Sequence, residues 1–112
     1  MKTLVVVDVQ RDFYHPDGSL YVSGSESLPA GIAAAAEDYD AIIFSLDWHP
    51  ANHCSFKQYG GIWPAHCVQY TQGAGLSDEF IPILDSTEKQ VLVHLKGSDP
   101  RQSAACWMQV RR

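Results

Sequence analysis

Between residues 42 and 67 an apolar run, Ile42-Ile43-Phe44-Ser45-Leu46, closes on Asp47, and three imidazoles follow at His49, His53 and His66. One carboxylate and several imidazoles in a single stretch are the donor types of a transition-metal site. Asp47 and His49 lie two residues apart, so on an extended backbone both side chains leave the same face and can converge on one ion. His53 and His66 belong to the following loop, which can fold back to complete the shell. A mixed oxygen and nitrogen set with room for water suits zinc, manganese or iron(II) better than calcium or magnesium, whose shells are all oxygen. No thiolate is needed. The plainer alternative is that each histidine is a surface or hydrogen-bonded residue, and that Cys67, beside His66, is a small buried hydrophobe. Spacing alone leaves both alternatives open.

The elements that must position these residues follow from apolar periodicity. Residues 3 to 9, Thr3-Leu4-Val5-Val6-Val7-Asp8-Val9, form a β-branched run without alternation, the pattern of a strand buried on both faces of a parallel sheet. Asp8 sits at its end, where a carboxylate is either a structural cap or a functional group at the carboxyl edge of the sheet. Residues 10 to 24, rich in Asp, Pro, Gly and Ser, predict an irregular loop in which Phe13 and Tyr14 cover the core or wall a flat ligand. Ser25 or Ser27 can cap a helix with Pro29 in its first turn, and Leu28, Ile32, Ala35, Ala36 and Tyr39 give it one apolar face. Ala41 to Leu46 is the second strand, completing a βαβ unit. Residues 76 to 89 predict a loop with a short helical piece near Asp78 to Leu84, and Gln90 to Leu95 is a third strand ending at Lys96. Three apolar strands thus end in Asp8, Asp47 and Lys96, which a parallel sheet lines up along one edge beside the loop histidines. Perturbed titration is expected there.

Composition narrows the function classes. A chain of 112 residues with 46% hydrophobic and 19% charged residues is a single globular domain. A formal charge of −5, with basic residues paired only at Arg111-Arg112, argues against nucleic acid as a partner. Cys54, Cys67 and Cys106 make neither an even disulfide set nor a Cys-x-x-Cys pattern, which fits a reducing compartment. Asp8 stops the first apolar run short of signal-peptide length, and no stretch reaches a membrane span, so the cytoplasm is expected.

Several blocks of the chain resemble the nicotinamidases (pyrazinamidases) of the isochorismatase-like cysteine hydrolases. They are Val6 to Phe13, Gly18-Ser19-Leu20, Asp47 to Phe56, Trp63 to Gln69, Gly73-Ala74 and Lys96 to Pro100. The resemblance implies an α/β fold, a three-layer parallel sheet of isochorismatase-like (Rossmann-like) type. It covers residues 1–100 as the N-terminal part of that domain and leaves 101–112 as a divergent tail. It puts Asp8 and Lys96 at two positions of a catalytic Asp-Lys-Cys triad. It puts Asp47, His49 and His66 at metal-ligand positions, with His53 at a fourth used by some members, and Phe13 and Trp63 at positions that flank the substrate ring. The implied cofactor is a divalent metal ion, zinc first, with manganese or iron as alternatives. The implied substrate is a small nicotinamide-like molecule, hydrolysed to nicotinate and ammonia in NAD salvage.

In that family the nucleophilic cysteine follows a fourth strand, in a Gly-x-Ala-Thr-Asp-x-Cys-like segment that nothing in this sequence resembles. Residues 101 to 112 depart from the family's continuation and have the character of a shifted reading frame or an early stop. Cys54 and Cys67 match ordinary positions around the metal loop, and Cys106 lies too near Lys96 to follow another strand. The expectation is a fold truncated after its third strand, with little or no amidase activity. Two alternatives are a fragment that binds metal and nicotinamide without turnover, and an isochorismatase-like hydrolase of another substrate, a class without the Asp-x-His and loop-His metal set. Three strands and one clear helix also leave apolar surface uncovered, so a homo-oligomer or a complementary chain is an expected partner.

Overall fold

The structure, a computed structural model, describes residues 1–86 and 88–101, so that of the divergent tail only Arg101 lies within it. β1 (Thr3–Val7), β2 (Ala41–Asp47) and β3 (Gln90–Lys96) form one parallel sheet in the order β1-β2-β3. The pairing is in register, with Val7 opposite Ser45 and Asp47 opposite Lys96. Between β1 and β2 runs α2 (Leu28–Ala36), entered through Ser27 with Pro29 in its first turn. Ser27 makes no side-chain capping bond, and the Ser25 hydroxyl donates to the Val22 carbonyl instead. Residues 78–86 form a 3-10 turn, Asp78–Phe80, running into α3 (Ile81–Ser86), where a short helical piece is expected near Asp78 to Leu84. A one-turn helix, α1 (Arg11–Tyr14), stands in the segment expected to be irregular. Four residues without a side-chain cap carry no periodicity that would reveal them.

The core lies on one face of the sheet. Ile42, Phe44 and Phe80 are fully buried there with Val6, Val9, Ala36 and Ile83 around them, and Ile32, Leu76, Leu84 and Val91 pack at the margin. Because α2 and α3 both cover this face, β1 is not buried on both sides as its unbroken β-branched run suggests. Val5 and Val7 are 54% and 55% exposed, and Leu92, which shares their face through Ile43, is 51% exposed. An apolar run of that kind belongs to a sheet covered twice, and the described residues supply one cover. β3 is an edge strand, with Val93 and Leu95 on the core face also open. Among the described residues no helix is long and apolar enough to cross a membrane.

The two faces should respond oppositely to truncation. Phe44→Ala is expected to lower the unfolding free energy by about 3–5 kcal/mol, and Leu92→Thr by no more than about 0.5 kcal/mol. Chemical denaturation of both variants checks this, and a comparable loss at Leu92 would mean that the second face is covered.

Candidate functional site

Parallel register brings three strand ends to one edge. Asp8 leaves β1 by donating its N–H to the Ser45 carbonyl at 2.8 Å, then turns into the left-handed region at φ 62. For a residue with a Cβ that conformation costs about 1–2 kcal/mol, and asparagine and aspartate tolerate it best. The Lys96 Nζ lies 3.1 Å from Asp8 Oδ1 and 3.7 Å from Asp47 Oδ1. Asp8 Oδ1 is buried and, by its geometry, accepts no hydrogen bond, which makes the Lys96 contact an ion pair. Burial, and next the Asp47 charge, raise the Asp8 pKa above its ordinary 3.8 despite the neighbouring ammonium.

The other oxygen of Asp47 faces the histidines, with Oδ2 3.5 Å from His49 Nε2. Ligand atoms of Asp47, His49 and His66 all lie within 4.8 Å of one another. The main chain decides which ring nitrogens are available. His49 Nδ1 lies 2.8 Å from the Gly97 carbonyl and His66 Nδ1 2.8 Å from the Pro64 carbonyl. A carbonyl can only accept, so both Nδ1 atoms carry the proton and both neutral rings present a bare Nε2. Carbonyl-backed imidazoles of this kind, with a carboxylate beside them, fit a divalent metal ion. Gly97, at φ 70, lets its carbonyl reach His49 because a Cβ there would stand 2.6 Å from the ring.

His53 stands outside this group. Its Nδ1 accepts the Ser55 N–H at 3.2 Å, so a neutral ring carries its proton on Nε2 and has no lone pair there for a metal. The ring is fully buried and stacks on His49 with centroids 4.0 Å apart. Phe13 packs against His66 at a centroid distance of 5.5 Å. Phe13 also lines, with Asp8, Tyr14, Val22 and Leu28, a cleft of about 350 Å³. Tyr14 turns its edge to Phe80 in the core, one of the two roles the sequence offers for it. Trp63 is 41% exposed and is tied through its main chain to Ser55 and Lys57, and neither it nor the metal donors line the cleft. Cys67 is fully buried, and burial first, then the charges of Asp47, Asp12 and Asp8, push its thiol far above the ordinary cysteine range. It is the inert small residue its position suggests.

Two polar side chains near the site went unassigned in the sequence. Gln10 is fully buried and bonded to the main chain of Asp47 and Ala74, and Asp12 accepts the N–H of Cys67, next to His66. The available signal was a glutamine directly after the apolar run that ends at Val9.

No family model matches the chain. Curated nicotinamidases are 31–40% identical to it. That of Saccharomyces cerevisiae is 36% identical over 72% of this chain and 50% of its own length. Among solved structures, the pyrazinamidase of Pyrococcus horikoshii in complex with zinc superposes with a TM-score of 0.75 at 34% identity, covering 91% of this chain and 55% of the other. The yeast nicotinamidase bound to the inhibitor nicotinaldehyde superposes with a TM-score of 0.77 at 30% identity, covering 92% and 60%. The chain spans about half the length of the curated relatives it matches.

Metal binding should register the state of His49. Burial opposes its charged form, yet Asp47 and the Gly97 carbonyl outweigh burial and raise its pKa above the ordinary 6.5. A proton therefore competes for Nε2 at a pH where an ordinary imidazole is already neutral. Zinc affinity is expected to start falling above pH 6.5 as pH is lowered, and to fall by about tenfold per pH unit below the His49 pKa. Calorimetric zinc titrations across pH check this, and an affinity that holds constant until well below 6.5 would contradict it.

Proposed function

We propose, since this chain belongs to the nicotinamidase family, that its residues form the metal-holding and proton-handling part of a site that hydrolyses nicotinamide to nicotinate and ammonia. The observation that carries this is the sharing of Asp47 between two groups. One oxygen faces the His49 and His66 donors, and the other faces Lys96, which in turn contacts Asp8.

Asp8 is the proton acceptor and donor. Its Oδ1 is buried, accepts no hydrogen bond, and belongs to a carboxyl whose pKa is raised toward the range in which a group can both take and return a proton. Lys96, beside it, favours an anion at the reacting centre. Asp47, His49 Nε2 and His66 Nε2 hold zinc, which when bound supplies a positive centre for the pyridine nitrogen. Phe13, which lines the cleft with Asp8 and packs on His66, is proposed to flank one side of the ring, and Trp63, which lies outside that cleft, to close on the other side. His53 backs the His49 ring and is not proposed as a ligand. The zinc complex of one solved relative and the nicotinaldehyde complex of another support the choice of ion and ligand. A place in the cytoplasmic recycling of nicotinamide toward NAD is part of the same proposal.

The covalent route that the family resemblance implies uses a cysteine thiolate, and Cys67 is buried as a thiol. Cys54 sits in the metal loop with its N–H on the Pro100 carbonyl and its sulfur in a disulfide, a departure from the unpaired thiols expected from the cysteine count, and it is not proposed as nucleophile either. The described residues by themselves are therefore proposed to bind metal and nicotinamide with little or no turnover. Loss of the nucleophile from a covalent catalyst typically lowers the rate by roughly a millionfold.

Calorimetry with nicotinamide and zinc, run beside an ammonia-release assay, tests both parts. The expected result is saturable nicotinamide binding that disappears in Asp47→Asn, with ammonia at the uncatalysed background. No nicotinamide heat in the presence of zinc would overturn the binding assignment. Ammonia release that is lost in Asp8→Asn would overturn the inactivity.

A further inference from the structure

At the end of β2 the sheet has a gap that a side chain fills. Residues of β2 that face β1 alternate along the strand, and the Ser45 carbonyl is still met by the Asp8 N–H. Two residues on, Asp47 turns its own N–H and carbonyl to the same side, but Asp8 has already left the strand at φ 62. Gln10 takes the vacated place. Its Oε1 accepts the Asp47 N–H at 2.9 Å and its Nε2 donates to the Asp47 carbonyl at 2.6 Å. A primary amide has the same donor and acceptor pair as a peptide group, so Gln10 continues the ladder by one more residue. The same Nε2 donates to the Ala74 carbonyl at 2.8 Å, which ties the 3-10 turn Gln72–Ala74 to this edge. No other side chain of similar size does this: glutamate would face two carbonyls with no proton to give, and methionine or leucine would orphan both groups of Asp47.

Two residues further on, Asp12 acts on the other arm of the metal set. Its Oδ2 accepts the Cys67 N–H at 2.7 Å and its Oδ1 the Ser19 N–H at 3.2 Å. Cys67 follows His66 and is at φ 49, so its amide direction sets where the His66 main chain runs. The turn that Gln10 holds closes on Asp12 through Gly73, where a Cβ would stand 2.2 Å from the carboxylate.

We propose that Gln10 and Asp12 are positioning residues for the metal centre, Gln10 fixing the main chain of Asp47 and Asp12 that of His66, so that the segment after β1 sets the separation between the two arms of the ligand set. The inference rests on the assignment of Asp47, His49 and His66 as metal ligands. It adds that ligand spacing is controlled from residues that never touch the ion.

The test is cobalt(II) titration of the full chain, read by the ligand-field absorption of the bound ion and by its affinity. Gln10→Met is expected to weaken cobalt binding by about 10- to 100-fold and to change the band positions or intensity, as losses in the outer shell of metal sites do. Phe80→Leu, in the core away from the site, controls for stability, and its folded fraction should keep the parent spectrum and affinity. If Gln10→Met does not fold, Asp12→Asn takes its place at the His66 end with the same expected result, since an amide offers one acceptor oxygen where two are used. A parent-like spectrum and affinity in the folded variant overturns the inference and leaves the ligand assignment intact. Absence of cobalt binding by the parent chain removes the ligand assignment, and the inference with it.

Discussion

Parallel, in-register pairing of three strands is the constraint on which everything else rests. In a parallel sheet all carboxyl ends lie at one edge, and a one-residue slip would turn each terminal side chain to the opposite face. Here Asp47 stands opposite Lys96, and Asp8 follows the residue opposite Ser45. The register therefore sets which charges meet. It is itself held by the burial of Ile42 and Phe44 in the central strand, whose displacement would bring Ile43 and Ser45 into the core.

The charges gathered there are poorly explained by stability. The side chains of Asp8 and Lys96 are 33% and 37% exposed, and an ion pair of that exposure contributes at most about 1 kcal/mol. Against that small gain stand a left-handed Asp8, a buried carboxylate oxygen without a hydrogen bond, and two carboxylates around one ammonium. Burial works against the ionised form of Asp47, yet His49, Lys96 and His66 outweigh it and hold its pKa below 3.8, while Asp8 moves the other way. Two acids at one edge are driven apart by their surroundings, which supports the proposal that one holds a cation and the other exchanges a proton.

Much of this was legible in the chain itself. Apolar runs that end in Asp8, Asp47 and Lys96 are visible without coordinates because burial in a parallel sheet demands such runs, and the Asp47-x-His49 spacing follows from the two-residue period of a strand. The convergence of His66 on that pair depends on the sixteen residues between it and His49, whose path no periodicity encodes. Leaving His53 out of the proposed ligand set rests on its contacts with Ser55, whose N–H donates to Nδ1 and so selects a tautomer. Gln10 escaped notice because its work is done on the main chain of Asp47, thirty-seven positions away, and a polar residue at a strand end ordinarily needs no explanation. The open face carrying Val5, Val7 and Leu92 was anticipated from the small number of strands and helices, although the β1 pattern on its own argues for cover on both sides.

Extended X-ray absorption fine structure of the zinc-loaded chain addresses the tautomer-locked ligand set most directly. The account predicts a first shell of nitrogen and oxygen alone at about 2.0–2.2 Å, with imidazole multiple scattering and no sulfur. A sulfur scatterer at about 2.3 Å, or a shell without imidazole, would contradict the assignment of Asp47, His49 and His66 as the metal site.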